Sequence, residues 1–193
     1  MSAPELKNWL EIFVKYSDGQ VIIVPGGGVF ADAVLSAQQQ SGISDAVAHQ
    51  LAVKAMDQYG LLLSAINPRL AIASSELEIA ERTWQHRAIL WLPSQMVLAD
   101  DEIPQHWQMT SDSIAAWLAH KLEAKHLILL KSKKPSTGQI AQLHADDLID
   151  GCFAEFSQNK DFSSWVLAKE DYAHFEDGLF VDKLSQVGVK IES

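Results

Sequence analysis

Three consecutive glycines separate a short apolar run from a stretch with helical periodicity near the N-terminus. The apolar run covers residues 21–24, and Pro25 leads into Gly26, Gly27 and Gly28. Glycines let a phosphate or another anion approach the backbone amides, and the N-terminus of a following helix adds a favourable dipole. The spacing fits neither a Walker A loop nor a dinucleotide fingerprint. The loop is therefore either an anion cradle or a tight turn that needs positive φ, and the sequence favours neither interpretation.

A polar string with one carboxylate lies at the start of another predicted helix. The string is Thr110, Ser111, Asp112 and Ser113, and apolar residues follow it at helical spacing. Side chains of this kind before a helix are most often N-caps. A carboxylate at a helix start near the carboxyl end of a parallel sheet also lies where α/β folds assemble ligand sites. There Asp112 could orient lysines or a metal ion around transferring phosphates.

Three lysines within four residues follow the predicted strand over residues 126–130. Lys131, Lys133 and Lys134 are a local exception in a chain whose formal net charge is -10. If this strand and the strand over residues 21–24 run parallel in one sheet, the lysines and the glycine loop share a sheet edge. That arrangement suits phosphate binding. The alternative is a solvated loop, an interpretation that fits Lys133 and Lys134 better than Lys131.

The composition limits the functions that these groups can serve. The chain has 193 residues, with 15 lysines and arginines against 25 aspartates and glutamates. This acidic balance argues against non-specific nucleic-acid binding, which depends on neutralising phosphates. No apolar run reaches the roughly 20 residues of a membrane-spanning helix, and the N-terminus lacks the blocks of a signal peptide. The single Cys152 excludes an internal disulfide, so we expect one cytoplasmic domain over residues 1–193 with no membrane partner.

The remaining residues that could carry chemistry match no further motif. The seven histidines are scattered along the chain, and no pair of them has the helix spacing with a glutamate that zinc proteases show. The Gly-x-Ser-x-Gly elbow of serine hydrolases does not occur in the sequence. We therefore predict no metal site held by the protein itself.

Alternating helical and strand-like segments must position the three candidate groups. The predicted helices cover residues 5–16, 30–40, 45–59, 75–84, 111–124 and 144–156. The predicted strands cover residues 21–24, 70–72, 88–92, 126–130, 165–167 and 187–191. Ser44 is a predicted N-cap, Gly60 is a predicted helix end, and the run over residues 21–24 is typical of a central strand. The pattern predicts an α/β domain with a mainly parallel sheet and helices on both faces.

Three segments of the chain form a linked pattern that is more specific than any one of them. They cover residues 21–32, 110–119 and 127–132. Together they resemble the amino acid kinase family, over roughly residues 4–132 of this chain. Within the family, Trp107, the Thr-Ser-Asp-Ser string and the Leu-Leu-Lys-Ser ending are most similar to one branch. That branch includes the (aminomethyl)furanylmethyl phosphate kinase of methanofuran biosynthesis.

The resemblance implies a three-layer α/β/α sandwich with a mainly parallel central sheet. It also implies transfer of the γ-phosphoryl group of ATP, with Mg2+, to a small acceptor, which in the most similar branch is itself a phosphate. By match of motif, Asp112 would be the catalytic residue that organises the other groups. The residues implied to bind the acceptor or the transferring phosphoryl group are Gly26, Gly27, Gly28 and Asp32. The residues implied on the nucleotide side are Thr110, Ser111, Lys131 and Ser132. Self-association into a homo-oligomer is expected from the family.

Two features depart from the family pattern. Family members begin with a strand that carries a lysine and a Gly-Gly-Ser turn, whereas this sequence starts at Met1 directly before the first helix, so the first strand is expected to be absent. Leu35 stands where related sequences tend to place a basic residue. Either the natural start lies upstream and the protein is an active kinase, which we favour, or the chain is a kinase-like protein that no longer transfers phosphate. In the second case it would be a nucleotide- or ligand-binding protein or a regulatory subunit.

Overall fold

The computed structural model describes residues 3–192, and within them the chain forms two compact units. The glycine-loop unit consists of residues 17–111. The ion-pair unit combines residues 3–16 with residues 112–192. Among these described residues, no helix has both the length and the apolar character needed to cross a lipid bilayer. The organisation of the whole chain as a single domain stays a prediction.

The glycine-loop unit is built on a three-stranded parallel sheet. Its strands are β1 (Ile22–Ile23), β2 (Ala71–Ala73) and β3 (Ile89–Trp91), in the order β1-β3-β2. Its helices are α2 (Gly28–Ser41), α3 (Asp45–Ile66), α4 (Glu76–Trp84) and α5 (Ser94–Val97). Ile89 pairs with Ile22 on one side and with Ala71 on the other. The β3 strand is therefore the centre of this sheet.

The prediction that residues 21–24 form the central strand is wrong. Among the described residues β1 pairs with β3 alone, and both of its side chains are half-buried. All three residues of β3 are instead fully buried. Both runs are short and continuously apolar, and this pattern does not separate an edge strand from a central one. The number of pairing partners decides the position, and β3 has two.

The α3 helix is longer than predicted because Gly60 does not end it. Ser44 caps the helix as predicted, since its side chain accepts a hydrogen bond from the amide of Val47. Gly60 is buried inside the helix, where a Cβ atom would lie 2.7 Å from Leu92 and 3.4 Å from Pro25. A glycine in a helix interior costs roughly 1 kcal/mol. Here the missing side chain lets two neighbours pack against the helix backbone, so the helix continues beyond it.

The ion-pair unit contains a second three-stranded sheet. Its strands are β4 (His126–Lys131), β5 (Ser163–Ala168) and β6 (Val189–Lys190), in the order β4-β5-β6. Its helices are α1 (Ala3–Tyr16), α6 (Ser111–Lys121, which begins at the last residue of the other unit), α7 (Ile140–Ala145), α8 (Phe153–Ser157), a 3-10 helix (Lys169–Phe175) and α9 (Val181–Val187). The β4 and β5 strands run parallel, and β6 runs antiparallel to β5. The strands of the described chain are thus mainly parallel, as predicted.

The predicted helix over residues 144–156 is wrong as a single element. The chain forms α7 and α8 with a turn between them, in which Asp147 takes a left-handed conformation with a φ of 54°. Asp150 and Gly151 lie in this turn, directly ahead of α8. An Asp-Gly pair is a typical turn signal, and here the helical spacing of the flanking apolar residues concealed it.

The apolar face of α1 packs inside the ion-pair unit. Trp9 and Ile12 join a buried cluster that includes Leu167 of β5 and Phe175 of the 3-10 helix. The indole N–H of Trp9 also donates a 2.9 Å hydrogen bond to the backbone carbonyl of Lys169. The predicted first helix is therefore confirmed, and its core contacts come from the far end of the chain.

Candidate functional site

Two of the three glycines in the loop between β1 and α2 have a structural reason. Gly27 is the N-cap of α2, and a Cβ atom there would lie 2.3 Å from the Cβ of Ala31. Gly28 has a φ of +51°, and a Cβ atom there would lie 2.8 Å from the ring of Tyr59. The close approaches and the left-handed conformation both favour glycine. The turn interpretation therefore accounts for Gly27 and Gly28.

Gly26 lacks such a reason. Apart from the residues next to it in the chain, a Cβ atom at Gly26 would have one neighbour within 4 Å among the described residues, the hydroxyl oxygen of Ser111 at 3.8 Å. The backbone of Gly26 is also outside the left-handed region. The space beside Gly26 can therefore admit a ligand, which keeps the anion-cradle interpretation for this residue. Asp32 lies about one turn into α2 and is exposed to solvent.

Asp112 and Lys131 form an ion pair within the ion-pair unit. Asp112 lies in the first turn of α6, and Lys131 is the last residue of β4. The Lys131 Nζ atom lies 2.7 Å from each carboxylate oxygen of Asp112. The exposed fraction is 20% for the lysine side chain and 13% for the aspartate side chain, so water screens their attraction weakly. The structure thus joins two predicted site residues that are 19 positions apart in the sequence.

Burial is the main influence on the ionisation of Asp112. Loss of surrounding water raises the pKa of the Asp112 carboxyl above its usual value. The charge of Lys131 opposes this rise in pKa, and the negative charge of Asp150 adds to it. The carboxylate also accepts a hydrogen bond from the backbone N–H of Asp150. The Asp112 carboxylate therefore has donors on two sides, the Lys131 ammonium and the Asp150 backbone N–H.

Asp150 is an acidic participant that the sequence analysis did not single out. Its carboxylate accepts a 3.1 Å hydrogen bond from the backbone N–H of Ser113 and a second one from the Ser113 hydroxyl. Ser113 is fully buried in the first turn of α6. A carboxylate here satisfies helix N–H groups and interacts favourably with the helix dipole. At Ser113 the cap is therefore supplied by a residue 37 positions along the chain.

The remaining predicted site residues lie around the ends of β4 and α6. Ser132 is exposed directly after β4, and the Lys134 Nζ atom lies 3.7 Å from a carboxylate oxygen of Asp171. Thr110 and Ser111 are partly buried, and α6 begins at Ser111. Both belong to the glycine-loop unit, whereas Ser132 belongs to the ion-pair unit. The roles of these residues stay predictions.

The acidic residues do not form a metal cage in the described part of the chain. Across residues 3–192, no group of three or more His, Cys, Asp or Glu side chains is placed to hold a metal ion. Mg2+ usually keeps several waters and binds through one or two carboxylates together with substrate phosphates. A magnesium ion bound in that way needs no cage of three protein side chains.

Sequence comparisons match most of the chain to known proteins. A family model described as the amino acid kinase family matches residues 2–134. The [5-(aminomethyl)furan-3-yl]methyl phosphate kinase of Methanocaldococcus jannaschii is 27% identical over 127 residues. This match covers 66% of the present chain and 58% of that relative, so the chain spans less than two thirds of the relative's length.

Two solved structures are similar to the chain in fold. Uridylate kinase from Archaeoglobus fulgidus has a TM-score of 0.65 and 16% identity, and the match covers 88% of this chain and 86% of that one. UMP kinase from Ureaplasma parvum has a TM-score of 0.70 and 14% identity, with 100% and 90% covered. Identities this low limit the likeness to the fold. The α/β fold class with a mainly parallel sheet, predicted from the sequence, is confirmed by these matches and by the strand pairing.

Proposed function

Because this chain belongs to the amino acid kinase family, we propose that it transfers the γ-phosphoryl group of ATP to a small acceptor that already carries a phosphate. Family membership supports the transfer reaction. The acceptor class is supported by the relative from Methanocaldococcus jannaschii, a kinase whose name gives a phosphate monoester as its substrate. A furan-containing phosphate monoester is therefore the first acceptor to test.

The proposed reaction needs no general base. An oxygen of the acceptor phosphate forms a bond to the γ-phosphorus of ATP, while the bond from that phosphorus to the β–γ bridging oxygen breaks. ADP leaves with the electron pair of the broken bond, and the product is a diphosphate. The second pKa of a phosphate monoester is about 6, so the attacking oxygen is largely deprotonated at neutral pH. The protein must then supply positioning and charge stabilisation.

The partly buried ion pair between Lys131 and Asp112 is the observation that carries this proposal. An ammonium has three N–H groups, and within the described residues that of Lys131 contacts no hydrogen-bond acceptor other than the two oxygens of Asp112. Donor capacity therefore remains for a phosphate oxygen. We assign Lys131 to stabilising charge on the transferring phosphoryl group or the nucleotide, and Asp112 to holding the ammonium in place.

Magnesium fits this proposal as a partner of the nucleotide. When bound with ATP, Mg2+ neutralises part of the triphosphate charge and polarises the phosphorus–oxygen bonds. The residues proposed on the nucleotide side are Thr110, Ser111, Lys131 and Ser132. We expect calorimetric titration to show binding of Mg-ATP. We also expect an assay of ADP release to show ADP production that depends on an added phosphate monoester. Binding of Mg-ATP without any ADP production would instead support a kinase-like nucleotide-binding protein.

Gly26 gives a test of the acceptor site at small structural cost. The methyl group of a Gly26→Ala variant has its nearest protein neighbour at 3.8 Å, so the free energy of unfolding should change by less than about 0.5 kcal/mol. If the acceptor or the transferring phosphoryl group occupies the space beside Gly26, the methyl group obstructs it. We expect the acceptor KM to rise about tenfold or more, with little change in the KM for ATP, in steady-state assays of ADP release.

The matched contrast to this variant is Gly28→Ala. Gly28 has positive φ and lies against the ring of Tyr59, so its replacement should lower stability by about 1 kcal/mol or more. Thermal unfolding of both variants shows which glycine is needed for stability. A variant that keeps its stability but binds the acceptor poorly has lost a ligand contact. An unchanged acceptor KM in Gly26→Ala would remove Gly26 from the proposed acceptor site.

A further inference from the structure

Asp150 and the first turn of α6 hold each other through hydrogen bonds in both directions. The Asp150 carboxylate accepts from the backbone N–H and from the hydroxyl of Ser113. The Asp150 backbone N–H donates in return to the carboxylate of Asp112. Each partner is thus both donor and acceptor. A shift of α6 relative to Asp150 would break hydrogen bonds to two adjacent residues of the helix.

The turn that carries Asp150 is anchored in the core of the ion-pair unit. Leu148 and Ile149 precede Asp150 and are each 4% exposed, and Phe153 follows it and is fully buried. Ser113, on the other side of the contact, is also fully buried. Asp150 therefore lies between buried residues and has a defined position. A residue that positions another residue needs such support from its own neighbours.

We propose that Asp150 is a positioning residue that sets the placement of Asp112 and, through Asp112, the placement of Lys131. This inference rests on the proposed kinase function, in which Asp112 and Lys131 act on the transferring phosphoryl group. Contacts run without a gap from Ser113 to Asp150, from Asp150 to Asp112, and from Asp112 to Lys131. Asp150 acts through Asp112 and needs no contact with the reacting atoms.

The charge of Asp150 separates this role from that of a simple helix cap. The groups that act on the charge of Asp112 are Lys131 of β4 and Asp150 of the turn before α8. A neighbouring negative charge disfavours ionisation of a carboxyl that is already buried. Loss of the Asp150 charge should therefore lower the pKa of Asp112. Loss of a helix cap alone would reduce stability without lowering that pKa.

The test compares Asp150→Asn with Asp147→Asn in the full chain. The first variant keeps the backbone N–H and one side-chain acceptor but removes the charge beside Asp112. Asp147 lies in the same turn and is exposed, and its side chain has no hydrogen bond or ion pair with the other described residues. Asparagine tolerates its left-handed backbone, so the second variant is a matched loss of charge. The first readout is the titration of Asp112, which NMR of 13C-labelled aspartate carboxyls monitors. The second readout is kcat with Mg-ATP and a furan-containing phosphate monoester.

For Asp150→Asn we expect a lower pKa for Asp112 and a loss of about tenfold to 100-fold in kcat, with a smaller change in the KM for ATP. The acid limb of the kcat profile should move to lower pH by the same shift. Asp147→Asn should match the wild type in both readouts. A Ser113→Ala variant, which removes the hydroxyl donor alone, should reduce kcat less than Asp150→Asn and leave the pKa of Asp112 near its wild-type value.

Failure of this inference is distinguishable from failure of the proposed function. If the wild type transfers phosphate but Asp150→Asn changes neither the Asp112 titration nor kcat, the positioning role is wrong and the kinase function stands. If Asp150→Asn only lowers stability, Asp150 is a cap. If the wild type has no transfer activity, the proposed function fails, and the NMR titration still shows whether Asp150 controls Asp112.

Discussion

Replacing Asp112 with Asn is expected to lower kcat by about 100-fold to 1,000-fold while Mg-ATP still binds. A carboxamide has one oxygen acceptor and no charge, whereas the carboxylate meets the Lys131 ammonium with both oxygens. The ammonium then loses its fixed position, which in the proposed reaction lies beside the transferring phosphoryl group. Positioning and charge stabilisation are the main contributions that a protein makes to phosphoryl transfer, so the loss falls on the chemical step. Steady-state kinetics with saturating Mg-ATP measures it.

The control for Asp112→Asn is the matched change at an exposed position, Asp147→Asn, which should retain wild-type kcat. Calorimetric titration of both variants with Mg-ATP then shows whether the nucleotide site is intact. A kcat for Asp112→Asn within about threefold of the wild type would show that Asp112 does not organise the catalytic groups.

Replacing Lys131 with Met is expected to destabilise the fold by about 3–5 kcal/mol at neutral pH. The substitution removes the cation beside a carboxylate whose side chain is only 13% exposed. The result is a largely desolvated negative charge that keeps a hydrogen-bond donor but has no countercharge. Urea denaturation at pH 7 measures the loss, and Lys133→Met is the matched control because Lys133 is exposed two residues further along. The control should change stability by less than about 0.5 kcal/mol.

The loss in Lys131→Met should shrink as the pH falls. Burial already raises the pKa of Asp112, and removal of the Lys131 charge raises it further. The folded state then binds a proton more tightly than the unfolded state, so stability increases as the pH falls from the folded pKa towards the unfolded pKa of about 3.9. Denaturation at pH 7 and at about pH 5 tests this direction. A loss that is constant with pH would contradict the assignment of the buried charge to Asp112.

The double variant of Lys131→Met with Asp112→Asn gives an independent check. It removes both charges, so it should be more stable at pH 7 than Lys131→Met alone. Energetic coupling between two residues in contact is the quantity that such a cycle isolates. Additive effects of the two substitutions would mean that the pair contributes no mutual stabilisation.

Local patterns in this sequence predict most of the elements because helix periodicity and capping are local properties. Ser44 begins α3 as predicted, and the apolar run at β3 is a strand as predicted. Strand order is not local. Among the described residues β3 lies between β1 and β2 and has two partners, whereas β1 has one. No feature of the 21–24 run shows this difference.

Long-range packing accounts for the other differences. Gly60 has the sequence context of a helix end, yet its partners Leu92 and Pro25 lie far from it in sequence. The contact between Trp9 and the carbonyl of Lys169 spans 160 positions. Such contacts depend on the complete fold, so the residues that make them can be classified as apolar or small but not assigned to partners in advance.

The candidate site shows the same division. Asp112 and Lys131 can be selected singly, because a carboxylate at a helix start and a lysine at a strand end are each suited to phosphate chemistry. Their contact depends on how α6 and β4 pack. Asp150 could have been found through the Asp-Gly turn signal, which would have ended the predicted helix before it. The hydrogen bonds between Asp150 and Ser113 could not have been predicted from the sequence, because they depend on how the turn packs against α6.

The most direct test of the proposed function is 31P NMR of the full chain with Mg-ATP and [5-(aminomethyl)furan-3-yl]methyl phosphate. The expected result is loss of the monoester and γ-phosphate signals, with growth of ADP and of a coupled pair of diphosphate signals. The Asp112→Asn variant should show this conversion far more slowly. Unchanged signals with the wild type, for this acceptor and for a series of other small phosphate monoesters, would contradict phosphoryl transfer to a phosphorylated acceptor.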